Sequence, residues 1–279
     1  MNRWELLDDL LRRRTALLGL CLIAGIVMLA AVGPYLAPYD PLVPAPLDRL
    51  QAPSLKHLFG TDSLGRDILS RVVHGSRISL MIGFISVTIS LVPGTVLGLL
   101  AGYFGDPLDS LIMRVMDVLL AFPAVLLAIV ITAILGPSLP NTMIAVGLVY
   151  IPHYARIVRS NVLSLKQQLY VQAVRHLGGS HVRVLFLHIL PNTFAPIIVY
   201  ATLGMGTAVL QAAALGFLGL GAQPPQPEWG AMLSEGRQYI QTAPHVAAFP
   251  GLAILFLVLG FNLFGDGLRD VLDPSLRSQ

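Results

Sequence analysis

Cysteine is almost absent from this sequence. The 279 residues contain a single one, Cys21, which excludes an intrachain disulfide and any metal site built on paired cysteines. Charged residues are also scarce, at 12% of the chain, against about 25% in an ordinary soluble domain. Hydrophobic residues make up 55%. This composition predicts a polytopic membrane protein.

Lysine is rarer still, because Lys56 and Lys166 are the only two and each follows a leucine. A P-loop needs a lysine directly after glycine to reach the β- and γ-phosphates of a nucleotide, so the sequence excludes that site. The net charge of +3 does not indicate nucleic-acid binding, since the basic residues are dispersed between apolar runs with few clustered aromatics. We expect no nucleic-acid partner, no cofactor, no metal site and no catalytic residue.

Long uncharged runs predict an all-α protein with six transmembrane helices, since each span needs about 20 apolar residues. The stretch Gly136–Pro140 separates the third span from the fourth, and Phe122-Pro123 is expected to kink the third. The six predicted spans are residues 15–37, 78–102, 111–135, 140–158, 190–214 and 246–266.

The distribution of arginine and lysine predicts the orientation. Placing the N-terminus in the cytoplasm puts most basic residues inside, as the positive-inside rule requires. The first apolar run exceeds the 7–15 residues of a signal peptide, so we expect an uncleaved first helix in the plasma (inner) membrane of a prokaryote, with both termini cytoplasmic. Four parts are predicted. Residues 1–37 form a cytoplasmic N-terminus with the first helix, and residues 38–77 form an external linker with an interfacial helix. Residues 78–266 form a five-helix core with a cytoplasmic loop at 160–190, and residues 267–279 form a cytoplasmic tail.

A charged, amphipathic insert interrupts the apolar spans at 170–192. Ser164 and Gln167 have the spacing of a capping box, and Gly178-Gly179 favours the end of a helix, because glycine adopts positive φ at little cost. A second helix is expected from Ser180. An apolar stripe at i, i+4 spacing joins Leu165, Leu169, Ala173 and Leu177. This stripe could bind another polypeptide or pack on the chain's own helix ends.

The insert resembles the EAA loop of ABC-importer permeases, in which Glu-Ala-Ala, three residues, Gly and nine residues precede Ile-x-Leu-Pro. Gln172-Ala173-Val174 stands at the first three positions, Gly178 at the glycine, His188 at the isoleucine and Leu190-Pro191 at the end. The spacing is kept although three side chains differ. Four further blocks resemble the second permease subunit of dipeptide, oligopeptide and nickel importers: FGTDSLGRDILSRVVHGSRISL, DVLLAFP, FLGLGAQPPQPEWGAML and FNLFGDGLRDVLDP.

The resemblance implies a type I ABC-importer permease fold and a non-catalytic subunit of an ATP-driven peptide importer. It also implies a second permease, two ABC ATPase subunits, an external solute-binding protein and surrounding lipid as partners. The helix before Gly178 would be the coupling helix that docks the ATPases. The residues expected in that docking site are Leu165, Leu169, Tyr170, Gln172, Ala173, Arg175, His176, Leu177, Gly178, Gly179, Leu190 and Pro191.

Other functions remain open at this point. Members of the same family carry nickel chelates, glutathione or other small solutes. A stand-alone ion-driven carrier or membrane enzyme would need acid–base partners within the spans, where Asp117 is the only acid apart from Asp266 at the last position of the sixth span. We expect Asp117 to pair with Arg114 on the same helical face. Pro224 to Trp229 and Glu235 are expected to face the membrane surface, solvent or a docked protein.

Overall fold

The protein is helical almost throughout the part of the chain that the structure, a computed structural model, describes, residues 9–10 and 12–272. Within that part no β-strand forms, and a single bridge pairs Thr61 with Asp67. In chain order the helices are α1 (Arg14–Leu36), α2 (Ile68–Phe104), α3 (Leu108–Leu120), α4 (Ala124–Leu135), α5 (Leu139–Lys166), α6 (Leu169–His176), α7 (His181–Phe217), α8 (Trp229–Gly236) and α9 (His245–Leu272).

Four of these helices, α1, α2, α7 and α9, are long and apolar enough to cross a membrane. They contain the predicted second, fifth and sixth spans, and the first except for its last residue, Ala37. The third span is not one straight helix, since α3 and α4 meet at a 90° bend. The bend lies at Phe122-Pro123, because proline lacks the N–H that would continue the helix. The predicted fourth span lies in α5, which has 28 residues but a more polar composition than the other four.

Helices α2 and α5 form the most extensive contact in the bundle. Three glycines of α2, Gly94, Gly98 and Gly102, face α5 at i, i+4 spacing. A methyl group at Gly98 would lie 2.5 Å from the carbonyl oxygen of Ala155, which is closer than any real contact. The missing side chains therefore let the two backbones approach, as small residues do in membrane bundles.

Residues 37–67, which precede α2, fold against one end of the bundle, and residues 218–244 lie at the same end. We name this end the predicted external end. The interfacial helix expected near Asp67 does not form separately. Asp67 caps α2 by accepting a hydrogen bond from the Ser70 N–H, and α2 then continues without a break. Ile68 and Arg71 are fully buried, so this stretch lies inside the protein and not on the membrane surface.

Glu228, Trp229 and Glu235, which we expected to face the membrane surface, solvent or a docked protein, instead contact other parts of this chain. Trp229 is buried and donates its indole N–H to the Val72 carbonyl at 3.0 Å. Glu228 is buried and caps α8 by accepting from two backbone N–H groups. Glu235 pairs with arginines of α2 and its preceding loop. These side chains face the protein interior because α8 packs on α2, α7 and α9.

Asp117 also differs from expectation, since its partner is Arg156 of α5 at 2.5 Å and not Arg114. Both side chains are half exposed, so this is a surface ion pair between α3 and α5. The helix α6 and the α2–α3 turn lie at the end opposite segment 37–67, which we name the predicted cytoplasmic end. The expected N-terminal stretch before residue 9 and the tail from residue 273 lie outside the described residues.

Candidate docking surface

The predicted docking helix is present as α6, but it begins later than expected. Helix α5 continues through Ser164 to Lys166, so the Ser164–Gln167 capping box does not form. Helix α6 instead starts at Leu169 after Gln168, which makes no side-chain cap. It ends at His176, and Gly178 turns the chain with a φ of 80°. The Gly179 N–H closes the turn by donating to the Val174 carbonyl at 2.9 Å.

Helix α6 is attached to the bundle by one face. Val171 is fully buried in a cluster with Val162 of α5 and Val184, Leu185 and Ile189 of α7. Val174 packs against the edge of the same cluster. Branched side chains fill this contact, so the helix is held in a fixed place without covering its outer face.

The outer face of α6 is apolar and uncovered. Leu169 is 82% exposed and Leu177 is 88% exposed, and Ala173 lies between them in the exposed class. Burying a large aliphatic side chain stabilises a structure by about 1.5–3 kcal/mol. Two such side chains in water on a fixed helix are therefore typical of a contact surface.

Polar and aromatic contacts hold the loop around α6. The Tyr103 hydroxyl lies 2.8 Å from His181 Nδ1, and Lys166 Nζ donates to the Tyr103 carbonyl at 2.7 Å. The Arg175 guanidinium lies 5.9 Å from the centre of the Tyr103 ring, which is within range of a cation–π interaction. Tyr103 at the end of α2 thus contacts both sides of the loop.

Nine of the twelve predicted site residues lie in one continuous stretch, from Leu169 to Gly179. Pro191 is exposed but lies within α7, just after the π-helical segment Val184–Ile189. Leu165 and Leu190 instead pack against the buried cluster under α6. They pack behind α6 and do not extend its outer face.

Sequence reasoning missed Tyr103, because its contacts are 63 and 78 residues away in the chain. It also missed a π-helical segment, Val184–Ile189, inside α7. π-Helical turns occur frequently at functional sites, and this one lies beside α6. Among the described residues, no group of three or more His, Cys, Asp or Glu could hold a metal ion.

Known proteins resemble the chain in both sequence and fold. The family model described as "Binding-protein-dependent transport system inner membrane component" matches residues 94–278. A second model, "N-terminal TM domain of oligopeptide transport permease C", matches residues 3–53.

Three relatives illustrate the sequence similarity. A dipeptide transport system permease protein, DppC, of Alkalihalophilus pseudofirmus is 53% identical over 98% of this chain and 90% of its own. A di/tripeptide permease protein of Pseudomonas aeruginosa is 49% identical over 98% of this chain and 92% of its own. A glutathione transport system permease protein, GsiD, of Pectobacterium atrosepticum is 49% identical over 96% of this chain and 89% of its own.

The solved structure of the MetNI methionine ABC transporter in inward-facing conformations contains a chain with the same fold. The TM-score is 0.59 at 20% identity, covering 72% of this chain and 95% of that one. The expected type I ABC-importer permease fold is confirmed. With a family model over most of its length and relatives near 50% identity, this chain belongs to the family of binding-protein-dependent transport system inner membrane components.

Proposed function

We propose that this chain is a non-catalytic permease subunit of an ATP-driven importer of short peptides, and that α6 is where an ATPase subunit docks. The observation that carries the proposal is the pair Leu169 and Leu177, more than four-fifths exposed on a helix whose opposite face is anchored by Val171. A surface that is both rigid and apolar suits the transmission of force from a partner.

The ATP must be hydrolysed by another polypeptide. Neither Lys56 nor Lys166 follows a glycine, so the chain has no P-loop lysine to reach the phosphates. ATP binding in two partner subunits would move the docked α6. Because α6 shares a packed cluster with α2, α5 and α7, that movement would shift these helices together and switch access between the two faces of the membrane.

The complex that we propose contains this chain, a second permease, two ATPases and an external solute-binding protein. It lies in the inner membrane of a prokaryote with both termini of this chain in the cytoplasm. The core would be residues 78–266 with the docking loop at 160–190. The distribution of arginine and lysine supports this arrangement, since the positive-inside rule puts the loop at 160–190 in the cytoplasm.

Short peptides are the proposed substrate class. Two of the relatives above are named for dipeptide or di/tripeptide transport, and a third for glutathione, which is itself a modified tripeptide. Uptake of a labelled dipeptide by the complete importer, with glutathione as competitor, distinguishes dipeptide transport from glutathione transport. Uptake of the dipeptide that excess glutathione does not inhibit supports the dipeptide assignment, whereas uptake of glutathione alone would replace it.

Pull-down of ATPase subunits by tagged variants tests the docking helix. Leu177→Asp places a charge where an apolar contact is proposed, and an unpaired buried charge is costly. We expect this variant to insert normally and to lose the ATPases. The matched control is Leu55→Asp, since Leu55 is 98% exposed but lies at the predicted external end, and this variant should retain them.

A second pair of variants tests the turn that ends α6. Gly178 and Gly136 both have positive φ, at 80° and 91°, and both have open space around the position of a β-carbon. Valine at either position would be strained by about 1–3 kcal/mol. Gly178→Val should release the ATPases and Gly136→Val should not. Equal ATPase retention in all four variants would show that α6 is not the docking element.

A further inference from the structure

One face of α7 lines two cavities in succession. Tyr200, Gly204 and Thr207 line a cavity inside the bundle, and Gln211, Ala214 and Leu218 line a groove nearer the predicted external end. These positions follow i+4, i+3 spacing, so their side chains lie in one row along the helix. We name this row the α7 row.

The inner cavity has a volume of about 210 Å³ and lies between α2, α5 and α7. Hydroxyl and ring groups contribute to its lining, among them Ser86, Ser90, Tyr150, His153 and Tyr154. None of its lining residues is Asp, Glu, Lys or Arg. Its volume is below the roughly 300–1,000 Å³ of a complete ligand pocket, so it is too small to hold a peptide by itself.

The outer groove has a volume of about 530 Å³ and lies between α4, α7, α8 and α9. Gln211 is the one polar residue in its lining. Gln211 also donates from Nε2 to the hydroxyl of Tyr150 at 3.1 Å, and Tyr150 lines the inner cavity. The Gln211–Tyr150 pair therefore stands at the junction of the two spaces.

The other polar atom of the Gln211 side chain, Oε1, is buried, and it makes no hydrogen bond to the residues that the structure describes. An acceptor buried without a donor is destabilising, and such atoms in native proteins call for an explanation. A donor brought by a passing solute would satisfy it.

We propose that the α7 row is this subunit's wall of the translocation path, and that the Gln211–Tyr150 pair is its constriction, where Gln211 Oε1 accepts a hydrogen bond from an N–H group of the transported peptide. The inference rests on the proposed function for the identity of the solute. The linings of the inner cavity and the outer groove contain no charged residue, so neither space holds a solute by an ion pair. Conduction needs binding that favours entry yet permits release.

Thiol labelling tests the wall without regard to the solute. In a Cys21→Ser background, Tyr200→Cys lies on the α7 row and Ile198→Cys lies on the opposite face two residues away. The two side chains are similarly exposed, at 43% and 48%. In the complete importer in native membranes, with a charged methanethiosulfonate reagent on both sides, Tyr200→Cys should react several-fold faster. Equal rates, or faster reaction at Ile198→Cys, would overturn the path assignment.

Transport kinetics test the constriction. Gln211→Leu removes the free acceptor and the bond to Tyr150 at similar side-chain size, and it should raise the KM for labelled dialanine several-fold in an importer that still assembles. Thr202→Val is the control, because the Thr202 hydroxyl bonds only to the Ile198 carbonyl of its own helix and lies off the α7 row. An unchanged KM in Gln211→Leu would overturn the role of Gln211. Failure of the unaltered importer to take up dialanine would contradict the proposed function instead, and the labelling result would stand.

Discussion

The two ends of the bundle differ in where their side chains find partners. At the predicted external end, Arg66 and Arg71 are buried and share Asp62 and Glu235, with Arg66 Nε donating to Asp62 at 2.7 Å and Arg66 Nη2 to Glu235 at 2.8 Å. At the predicted cytoplasmic end, α6 leaves its leucines in water. The charge cluster at the first end finds its partners within this chain, although Leu47 and Leu55 in the same segment are 99% and 98% exposed. We propose that the exposed leucines of the second end are covered by another polypeptide.

The largest expected effect comes from breaking the buried charge cluster. Asp62→Ala removes one of the two carboxylates that Arg66 and Arg71 share, and removing one partner of a buried pair costs about 3–5 kcal/mol. The isolated chain should lose that much free energy of unfolding, measured by thermal denaturation in detergent. Leu177→Asp, at the other end, should change it by no more than about 0.5 kcal/mol because its side chain is exposed. Similar losses for the two variants would erase the contrast between the ends.

A smaller effect is expected where α8 packs on α2. A methyl group at Gly75 would lie 2.5 Å from the Pro227 carbonyl oxygen and 2.6 Å from the indole nitrogen of Trp229. Gly75→Ala should therefore destabilise the chain by about 1–3 kcal/mol, the usual cost of overpacking. The control is Gly25→Ala in α1, where nothing lies within 4 Å. That variant should be neutral or slightly stabilising, since alanine favours helix, and destabilisation of both alike would argue against a tight α2–α8 contact.

Part of this contrast could be predicted from the sequence and part could not. The glycine turn at Gly178 and the bend at Phe122-Pro123 follow from local backbone chemistry. The Arg66–Glu235 pair joins residues 169 positions apart, so no local pattern indicates it. The prediction of a capping box at Ser164 and Gln167 was wrong, because the tertiary packing of Val162 and Leu165 extends α5 past Ser164. Arg114 was the wrong partner for Asp117 because Arg156, on a neighbouring helix, comes closer.

The smallest expected effect is on pH dependence at the predicted external end. Burial raises the pKa of Glu228 above its ordinary value of 4.5, although hydrogen bonds from the Gly230 and Ala231 N–H groups oppose the shift. The folded state thus holds the Glu228 proton to higher pH than the unfolded state does. Stability should be fully present below pH 4.5 and should fall as pH rises through the folded-state pKa.

Glu228→Gln removes this titration and should flatten the stability of the isolated chain from pH 4.5 upward. Thermal denaturation at several pH values measures the slope. A slope that is the same in Glu228→Gln as in the parent would assign the pH dependence to another group. Residues of the predicted cytoplasmic end should contribute nothing to this difference in slope between Glu228→Gln and the parent.

The most direct test of the account is the reactivity of a single cysteine at Leu177 before and after assembly. In a Cys21→Ser background, Leu177→Cys should react rapidly with a soluble thiol reagent in the isolated chain, because Leu177 is 88% exposed. Addition of the ATPase subunits should protect it, while Leu55→Cys at the other end should keep its rate. Unchanged reactivity of Leu177→Cys in the assembled importer would contradict the claim that α6 is completed by a partner.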